Sequence, residues 1–438
     1  MFKKFQISHR IYSYLLLALV LFAAISIVKI EVYNLIFLIA LTILLFLCLR
    51  YRNLFDNGSV FIARSLVGLL FIFSGFVKGV DPLGTQYVIH DYLEAYQMPF
   101  FQMLALPASF FLNMLEFCVG VLVLFNVKIR FTATLAALMM LFFTGLTWYD
   151  AVANPVPDCG CFGKAIVLTN WQTFYKNLVL DCLVIILFFS ATRIRYRFSS
   201  KIEYSIIAVS IVLFLGFEFY NYKNLPLIDF LDWKEGKRML IENPKPIKYY
   251  VTYKNKANGQ EKEYLLSECP YNDPSWAAEW EFVSRRDEDP NPKTTQISLL
   301  SRTFLPTGEI ETETDMTQQV LSNPDYQFLV VIYDVKKANK EALKQILAMQ
   351  AKAQDQGYYV YYLTASTSQE VEALKKELNA PDMEFYYSDD TSLKGMIRAN
   401  PGLILMKNSV ILKHWSTRNL PSFESVDLEG LAQKYKAN

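Results

Sequence analysis

Cysteine is the residue type whose spacing points most directly to chemistry in this sequence. Cys159 and Cys161 are separated only by Gly160, in the segment 150–172 between two apolar runs. A Cys-x-Cys disulfide needs its two Cα atoms within about 4.4–6.8 Å of each other, which forces a bend at the middle residue. Glycine adopts the dihedral angles that this bend requires. Because strained, exposed disulfides exchange readily, the pair is a candidate redox centre in which one thiolate attacks and the other resolves.

Two other interpretations of this pair stay open. The first is an inert loop disulfide, and the second is half of a metal site, for which two sulfurs without a nearby histidine fall short of four ligands. Lys164 is close enough in sequence to favour a thiolate. Asp150 and Asp158 flank the motif and are candidates for moving protons. The remaining cysteines are Cys48, Cys118 and Cys182, which lie in apolar runs, and the isolated Cys269.

The elements that position this motif follow from an uneven distribution of apolar residues along the 438-residue chain. The sequence is dominated by Leu, Ile, Val and Phe up to about Tyr220, and it becomes typical of a globular domain from about Asn221. A bilayer core of about 30 Å requires roughly 17–25 apolar residues in a helix. Seven runs qualify or come close: 11–28, 32–49, 60–77, 103–125, 131–148, 173–192 and 204–220. The net charge of +1 argues against binding to nucleic acid through bulk charge.

The distribution of Lys and Arg predicts the orientation of these spans. Positively charged loops stay cytoplasmic, and a cytoplasmic N-terminus places most basic residues of the flanks on the inner side. The first run is interpreted as a retained span because no small-x-small cleavage site follows it. An odd number of spans then places the C-terminal half outside the cytoplasm. The sequence therefore predicts a multi-pass protein of the inner membrane with a periplasmic C-terminal domain.

Charged side chains inside the apolar runs are a second candidate for function. Arg64, Glu116 and Asp181 lie within predicted spans, where charged residues usually face a bundle interior and pair with one another. A structural ion pair between Arg64 and Glu116 is one interpretation, and a role in moving protons or binding quinone is the other. Lys78 follows the third run and is a further candidate for a proton or ion-pair role. The outer loop 78–102 that it begins contains a predicted amphipathic helix at 88–96 on the membrane face.

At the cysteine loop the sequence resembles a known family. The motif Asp158-Cys-Gly-Cys-Phe-Gly163 between two spans is similar to membrane proteins of the DoxX and methylamine-utilisation MauE group. The sequence also resembles the first span of that group and the segment where this span leaves the membrane. The matching residues are Arg64, Gly68, Phe71, Ser74, Gly75, Lys78, Asp81 and Pro82. The resemblance covers about 60–192 and implies a four-helix membrane bundle. It also implies disulfide formation in a periplasmic partner, as in the MauE branch, or the quinone-linked sulfur chemistry of DoxX relatives.

The tail is predicted to be a mixed α/β domain. A hairpin at 249–266 turns at Asn258-Gly259, and a loop follows at 285–293. Strands at 327–333 and 358–363, helices at 339–354 and 369–378, and a hairpin formed by 403–406 and 410–415 come next. This order resembles a thioredoxin fold over about 322–420, with Asn400-Pro401 at the usual cis-proline position. The segment 334–339 has no cysteine where active members carry Cys-x-x-Cys, which excludes dithiol chemistry by this domain. His414 is predicted to lie on a strand surface.

Together these patterns predict an α-helical membrane bundle of about seven helices with a DoxX-like core, followed by an extracytoplasmic thioredoxin-like domain. The predicted boundaries are 1–59 for two spans, 60–192 for the bundle, 193–221 for the seventh span, 222–320 for a β-rich connector and 321–438 for the thioredoxin-like domain. The favoured function is thiol–disulfide exchange between envelope protein thiols and a membrane acceptor such as quinone. The alternative is a non-enzymatic membrane anchor whose tail binds envelope partners.

Overall fold

A computed structural model describes residues 57–156, 160–194, 198–240, 248–271, 273–288, 297–305, 307 and 309–437. The chain forms two compact units, Met1–Phe230 and Leu231–Asn438. The two predicted spans before residue 57, with Cys48, lie outside the described residues, as do Asp158 and Cys159. The five-part domain division made from the sequence stays a prediction.

The described part of the first unit is helical. Its helices are α1 (Asn57–Val80), α2 (Pro82–Ala95), α3 (Ala105–Phe125), α4 (Ile129–Ala153), α5 (Asn170–Ser190) and α6 (Ser200–Lys223), and a 3-10 helix (Pro99–Leu104) precedes α3. Among the described residues, five helical segments are long and apolar enough to cross a membrane: α1, the 3-10 helix together with α3 (Pro99–Phe125), α4, α5 and α6. The five predicted spans that begin at residue 60 or later are therefore confirmed as helices.

Glycine lets α1 and α3 pack closely side by side. A Cβ added to Gly75 would lie 2.6 Å from the backbone nitrogen of Phe117, and one added to Gly120 would lie 2.6 Å from that of Ile72. Small residues at a membrane helix interface allow two backbones to approach. Since Gly75 meets Phe117 while Gly68 meets Leu124, the two helices run antiparallel. This register decides which side chains of α1 face α3.

Local sequence signals determine where the helices around the cysteine loop begin. At the start of α2, the Asp81 side chain accepts a hydrogen bond from the backbone of Gly84, with Pro82 in the first turn. The predicted amphipathic helix is therefore confirmed as a helix, but it begins six residues earlier. A capping box between Thr169 and Gln172 begins α5. Further along, both helices reach the cysteine loop, since Val88 of α2 lies beside Gly160 and Lys176 of α5 lies beside Phe162.

The second unit contains ten strands and six helices among its described residues. The strands are β1 (Lys248–Asn255), β2 (Glu261–Leu265), β3 (Trp280–Glu288), β4 (Leu300–Phe304), β5 (Ile310–Asp315), β6 (Gln327–Ile332), β7 (Tyr359–Thr364), β8 (Phe385–Tyr387), β9 (Gly402–Lys407) and β10 (Val410–Trp415). The helices are α7 (Pro274–Glu279), α8 (Thr317–Leu321), α9 (Lys340–Asp355), α10 (Ser368–Leu378), α11 (Asp390–Met396) and α12 (Leu428–Lys434).

These strands form two sheets, with orders β2-β1-β3 and β10-β9-β6-β7-β8-β4-β5. In the larger sheet β6, β7 and β8 are parallel, whereas β9 and β10 form an antiparallel hairpin beside β6. A core of fully buried side chains, including Phe328, Leu343 and Leu405, lies between one sheet face and the helices. The predicted strands and helices between 327 and 415 are confirmed, and the Asn400–Pro401 peptide bond is cis as expected.

The predicted loop at 285–293 is wrong for its first residues. The chain up to Glu288 belongs to β3, where Arg286 lies opposite Tyr250 of β1. The Arg286 guanidinium lies 4.4 Å from the centroid of the Tyr250 ring and 2.9 Å from Glu263 of β2. This charged segment, which composition alone suggests is a loop, therefore forms a strand, and Arg286 finds partners across the sheet.

The prediction that His414 lies on a strand surface is also wrong. The residue is only 5% exposed, because the segment 236–239 runs beside β10. The backbone nitrogens of Gly236 and Met239 each lie 2.7 Å from the carbonyl oxygens that accept their hydrogen bonds, those of Ile411 and Ser409. Burial lowers the pKa of His414 to about 4, an effect that the nearby Glu235 carboxylate only partly opposes.

This shift predicts a pH dependence of stability in the second unit. The ordinary histidine pKa is 6.5, so the unfolded chain binds the proton first as the pH falls. Above about pH 6.5, neutral His414 makes its full contribution to the free energy of unfolding, about 3 kcal/mol at 1.4 kcal/mol per pKa unit. This contribution is lost as the pH falls towards 4. We expect hydrogen exchange in β10, corrected for intrinsic rates, to accelerate over this window. The change should be much smaller in His414→Leu, and an identical pH profile in that variant would contradict it.

Candidate functional site

A cavity of about 500 Å³ lies among the helices of the first unit. Its walls come from α1, α2, α3, α4 and α5 and from the loop that contains Gly160 and Phe162, and most of its lining side chains are apolar. The polar and charged lining side chains include Ser74, Lys78, Tyr92, Glu116, Cys161 and Lys176. One predicted redox cysteine and two of the predicted charged residues therefore meet at a single cavity.

The loop that carries Cys161 bends as the sequence predicts. Gly160 has a φ of +65° and Gly163 one of +50°, both in the left-handed region that favours glycine. A Cβ added to Gly160 would lie 2.9 Å from a methyl carbon of Val88 on α2, so a larger residue would also crowd this helix. Cys161 itself is half-buried. The loop is thus held against the cavity by close packing.

The aromatic residue after Cys161 anchors the loop. Phe162 is 5% exposed, and its ring centroid lies 5.6 Å from that of Phe73 on α1. The Lys176 ammonium of α5 lies 4.7 Å from the centroid of the same ring, within the range of a cation–π interaction. These contacts attach the loop to two helices and bring a cation to the cavity that Cys161 lines.

A buried ion pair joins α1 to α3 at the cavity wall. Lys78 Nζ lies 2.5 Å from Glu116 Oε1, and both side chains are buried. Ser74, one turn before Lys78 on the same helix, has its Oγ 2.7 Å from Glu116 Oε2. The same Oγ lies 2.8 Å from the carbonyl oxygen of Cys161. A continuous chain of polar contacts therefore connects the ion pair to the backbone of the cysteine loop.

The predicted pairing of Arg64 with Glu116 is wrong. Arg64 lies 14 residues before Lys78 on α1, a separation of about 21 Å along a helix. Because α1 and α3 are antiparallel, the end of α1 that carries Lys78 faces Glu116, and the end that carries Arg64 faces the other end of α3. The Arg64 guanidinium lies instead 5.6 Å from the centroid of the Phe61 ring.

The two other candidate carboxylates have hydroxyl partners. Asp150 is fully buried, and its Oδ2 accepts a hydrogen bond of 2.6 Å from the Tyr92 hydroxyl. Asp181 accepts one of 2.8 Å from Thr144. Tyr92 lines the cavity, so Asp150 is connected to the cavity wall by its hydrogen bond to the Tyr92 hydroxyl. Asp181 is not among the cavity-lining residues that the structure describes.

Two residues of this site received no role from the sequence. Ser74 lies four positions before Lys78, the spacing that places two side chains on one helix face, so a search for polar residues in register with the charge would have found it. Lys176 is an isolated basic residue near the start of α5, and no local pattern connects it with the cysteine loop. Among the residues that the structure describes, no three His, Cys, Asp or Glu side chains come together as a metal site.

The part of the chain that forms this cavity is similar to a known protein family. Residues 56–190 match the model of the family described as methylamine utilisation protein MauE. No curated protein matches the chain, and no solved structure does. The matched segment includes α1 to α5 and the cysteine motif. The chain is therefore a multi-pass membrane protein with a MauE-like membrane region, which confirms this part of the resemblance.

The ion pair gives a prediction for stability. Removing one member leaves the other charge buried without compensation, which typically costs about 3–5 kcal/mol. We expect Lys78→Met to lower the thermal unfolding temperature of the protein in detergent, and Glu116→Gln added to that variant to restore most of the loss. Arg64→Met is the control, because Arg64 does not contact the pair. Failure of the second substitution to restore stability would contradict the pairing.

Proposed function

We propose that this protein is a membrane-embedded thiol–disulfide oxidoreductase. Its Cys159–Cys161 pair exchanges electrons between extracytoplasmic protein thiols and a membrane acceptor such as quinone. The observation that carries the proposal is that Cys161 lines a membrane-region cavity together with Lys78 and Glu116. A half-buried sulfur beside a cavity with cationic side chains is placed to react as a thiolate.

The proposed reaction has two balanced steps. Two thiols of a partner protein exchange with the Cys159–Cys161 disulfide, which forms a disulfide in the partner and a dithiol in this chain. The dithiol is then oxidised again, and its two electrons and two protons reduce a quinone to a quinol. Each cycle therefore consumes one quinone for each disulfide that the partner gains.

The cavity suits a lipid-soluble ring as the acceptor. Its lining includes Phe71, Phe142 and Phe143, which offer apolar contact area and aromatic faces. Phe142 is also 62% exposed and lies near the middle of α4, at a depth where lipid is expected. An acceptor dissolved in the bilayer can therefore enter here. The Lys78 ammonium has three donors and uses one for Glu116, so it can also bind an acceptor oxygen.

The second unit is proposed to act as a thioredoxin-like platform that binds the partner protein. The parallel unit β6-α9-β7 and the β9-β10 hairpin beside β6 support this fold. Asn339 caps α9 through the backbone of Ala342, and the preceding segment 334–338 contains no cysteine. The sulfur chemistry is therefore assigned to the membrane region. The distribution of Lys and Arg supports an inner-membrane location with this unit in the periplasm.

The test is thiol trapping in membranes with an alkylating reagent that adds mass. We expect the pair to be mostly oxidised in quinone-replete cells and to become reduced when quinone synthesis is blocked. Cys161→Ser should abolish oxidation of envelope protein thiols by this chain. Cys118→Ala, which removes a buried thiol of α3 outside the cavity lining, should leave that oxidation unchanged. A pair whose redox state never responds to quinone supply would support the anchor function instead.

A further inference from the structure

Close packing on both sides holds Cys161 at the cavity. The backbone nitrogen of Gly163 donates a hydrogen bond of 3.0 Å to the carbonyl oxygen of Gly160, which closes a tight turn around Cys161 and Phe162. Before Cys161, Gly160 packs against Val88 of α2. After it, the buried ring of Phe162 contacts a phenylalanine of α1 and a lysine of α5. The turn therefore cannot carry Cys161 away from the cavity without breaking the contacts of both neighbours.

The cavity that Cys161 lines suits a small molecule better than a polypeptide. Its volume of about 500 Å³ is typical of a small-molecule site, and most of its lining side chains are apolar. A peptide segment that entered would leave backbone N–H and C=O groups without hydrogen-bond partners, which is costly within a membrane. A quinone ring has only two carbonyl oxygens to satisfy, and the donors Lys78 and Lys176 line the same cavity. The cavity therefore favours the acceptor over a partner polypeptide.

We propose that Cys161 is the catalytic residue that reacts with the acceptor, whereas the partner protein exchanges with Cys159. The inference rests on the proposed function. A partner thiolate attacks the Cys159 sulfur of the disulfide and releases Cys161 as a thiolate. The second partner thiol then displaces Cys159, which leaves a disulfide in the partner and a dithiol in this chain.

Reoxidation proceeds through a bond between Cys161 and the acceptor. The Cys161 thiolate adds to a ring carbon of the quinone and forms an S–C bond. The Cys159 sulfur then attacks the Cys161 sulfur, so that an S–S bond forms, the S–C bond breaks and its electron pair stays on the ring. The ring has then gained two electrons, and the two protons that the thiols lost complete the quinol.

Two variants of the full-length protein that each keep one cysteine of the pair test this assignment. The probe is a short-chain quinone whose ring carbons are all substituted, added at about pH 8.5, where an ordinary thiol is half ionised. Cys159→Ser should give a stable visible charge-transfer band between the Cys161 thiolate and the bound quinone, because no second thiol displaces the ring. Cys159→Ala should give the same band. Cys161→Ser should give none above the background of the variant with both serines.

Reaction with oxidised glutathione tests the partner side without quinone. This charged disulfide replaces the partner protein, and an apolar cavity disfavours its entry. Cys161→Ser should form a mixed disulfide with glutathione at least about tenfold faster than Cys159→Ser, because access controls the rate of thiol exchange. Equal rates, or a faster reaction of Cys159→Ser, overturn the assignment.

The quinone experiment distinguishes failure of this assignment from failure of the proposed function. Cys118→Ala keeps both cysteines of the pair, so it should be oxidised by quinone without accumulating the band. If quinone oxidises the wild-type pair but the band appears in Cys161→Ser, or in neither variant, the assignment alone is overturned. A wild-type pair that quinone does not oxidise overturns the proposed function as well.

Discussion

The buried contact between Lys78 and Glu116 is the interaction on which the site depends. An isolated charge within a membrane bundle is costly, and pairing is the usual way to offset this. Gly75 and Gly120 let α1 and α3 approach closely in the antiparallel register that brings the two side chains together. The ion pair places two charges in a mostly apolar cavity wall and, through Ser74, contacts the loop of Cys161. Helix packing, cavity and cysteine loop therefore form one arrangement.

The membrane region shows what a sequence can and cannot predict. The length of the apolar runs was enough to identify the five described spans, and the glycine between the cysteines indicated the bend that Gly160 adopts. The charges within the spans indicated that buried ion pairs exist. They did not reveal that Glu116 binds Lys78 rather than Arg64, because that choice depends on the register of two helices separated in sequence by α2.

The second unit shows the same limit in a sheet. Apolar alternation and turn residues predicted β6, β7 and the β9-β10 hairpin, because these signals are local. The order of the sheet adds β4 and β5 at one edge, next to β8, and the segment 236–239 covers β10 at the other. These pairings join distant parts of the chain, and no local pattern contains them. The wrong prediction for His414 follows from this, because the side chains of a covered strand are buried where those of an uncovered edge strand would be exposed.

A titration of purified, reduced protein with a soluble short-chain quinone measures most directly whether this site transfers electrons. The structure places a sulfur, a cation and apolar ring surfaces at one cavity, so we predict one quinol formed for each Cys159–Cys161 disulfide and none in a variant that lacks the pair. A cysteine pair that stays reduced in excess quinone would contradict this function.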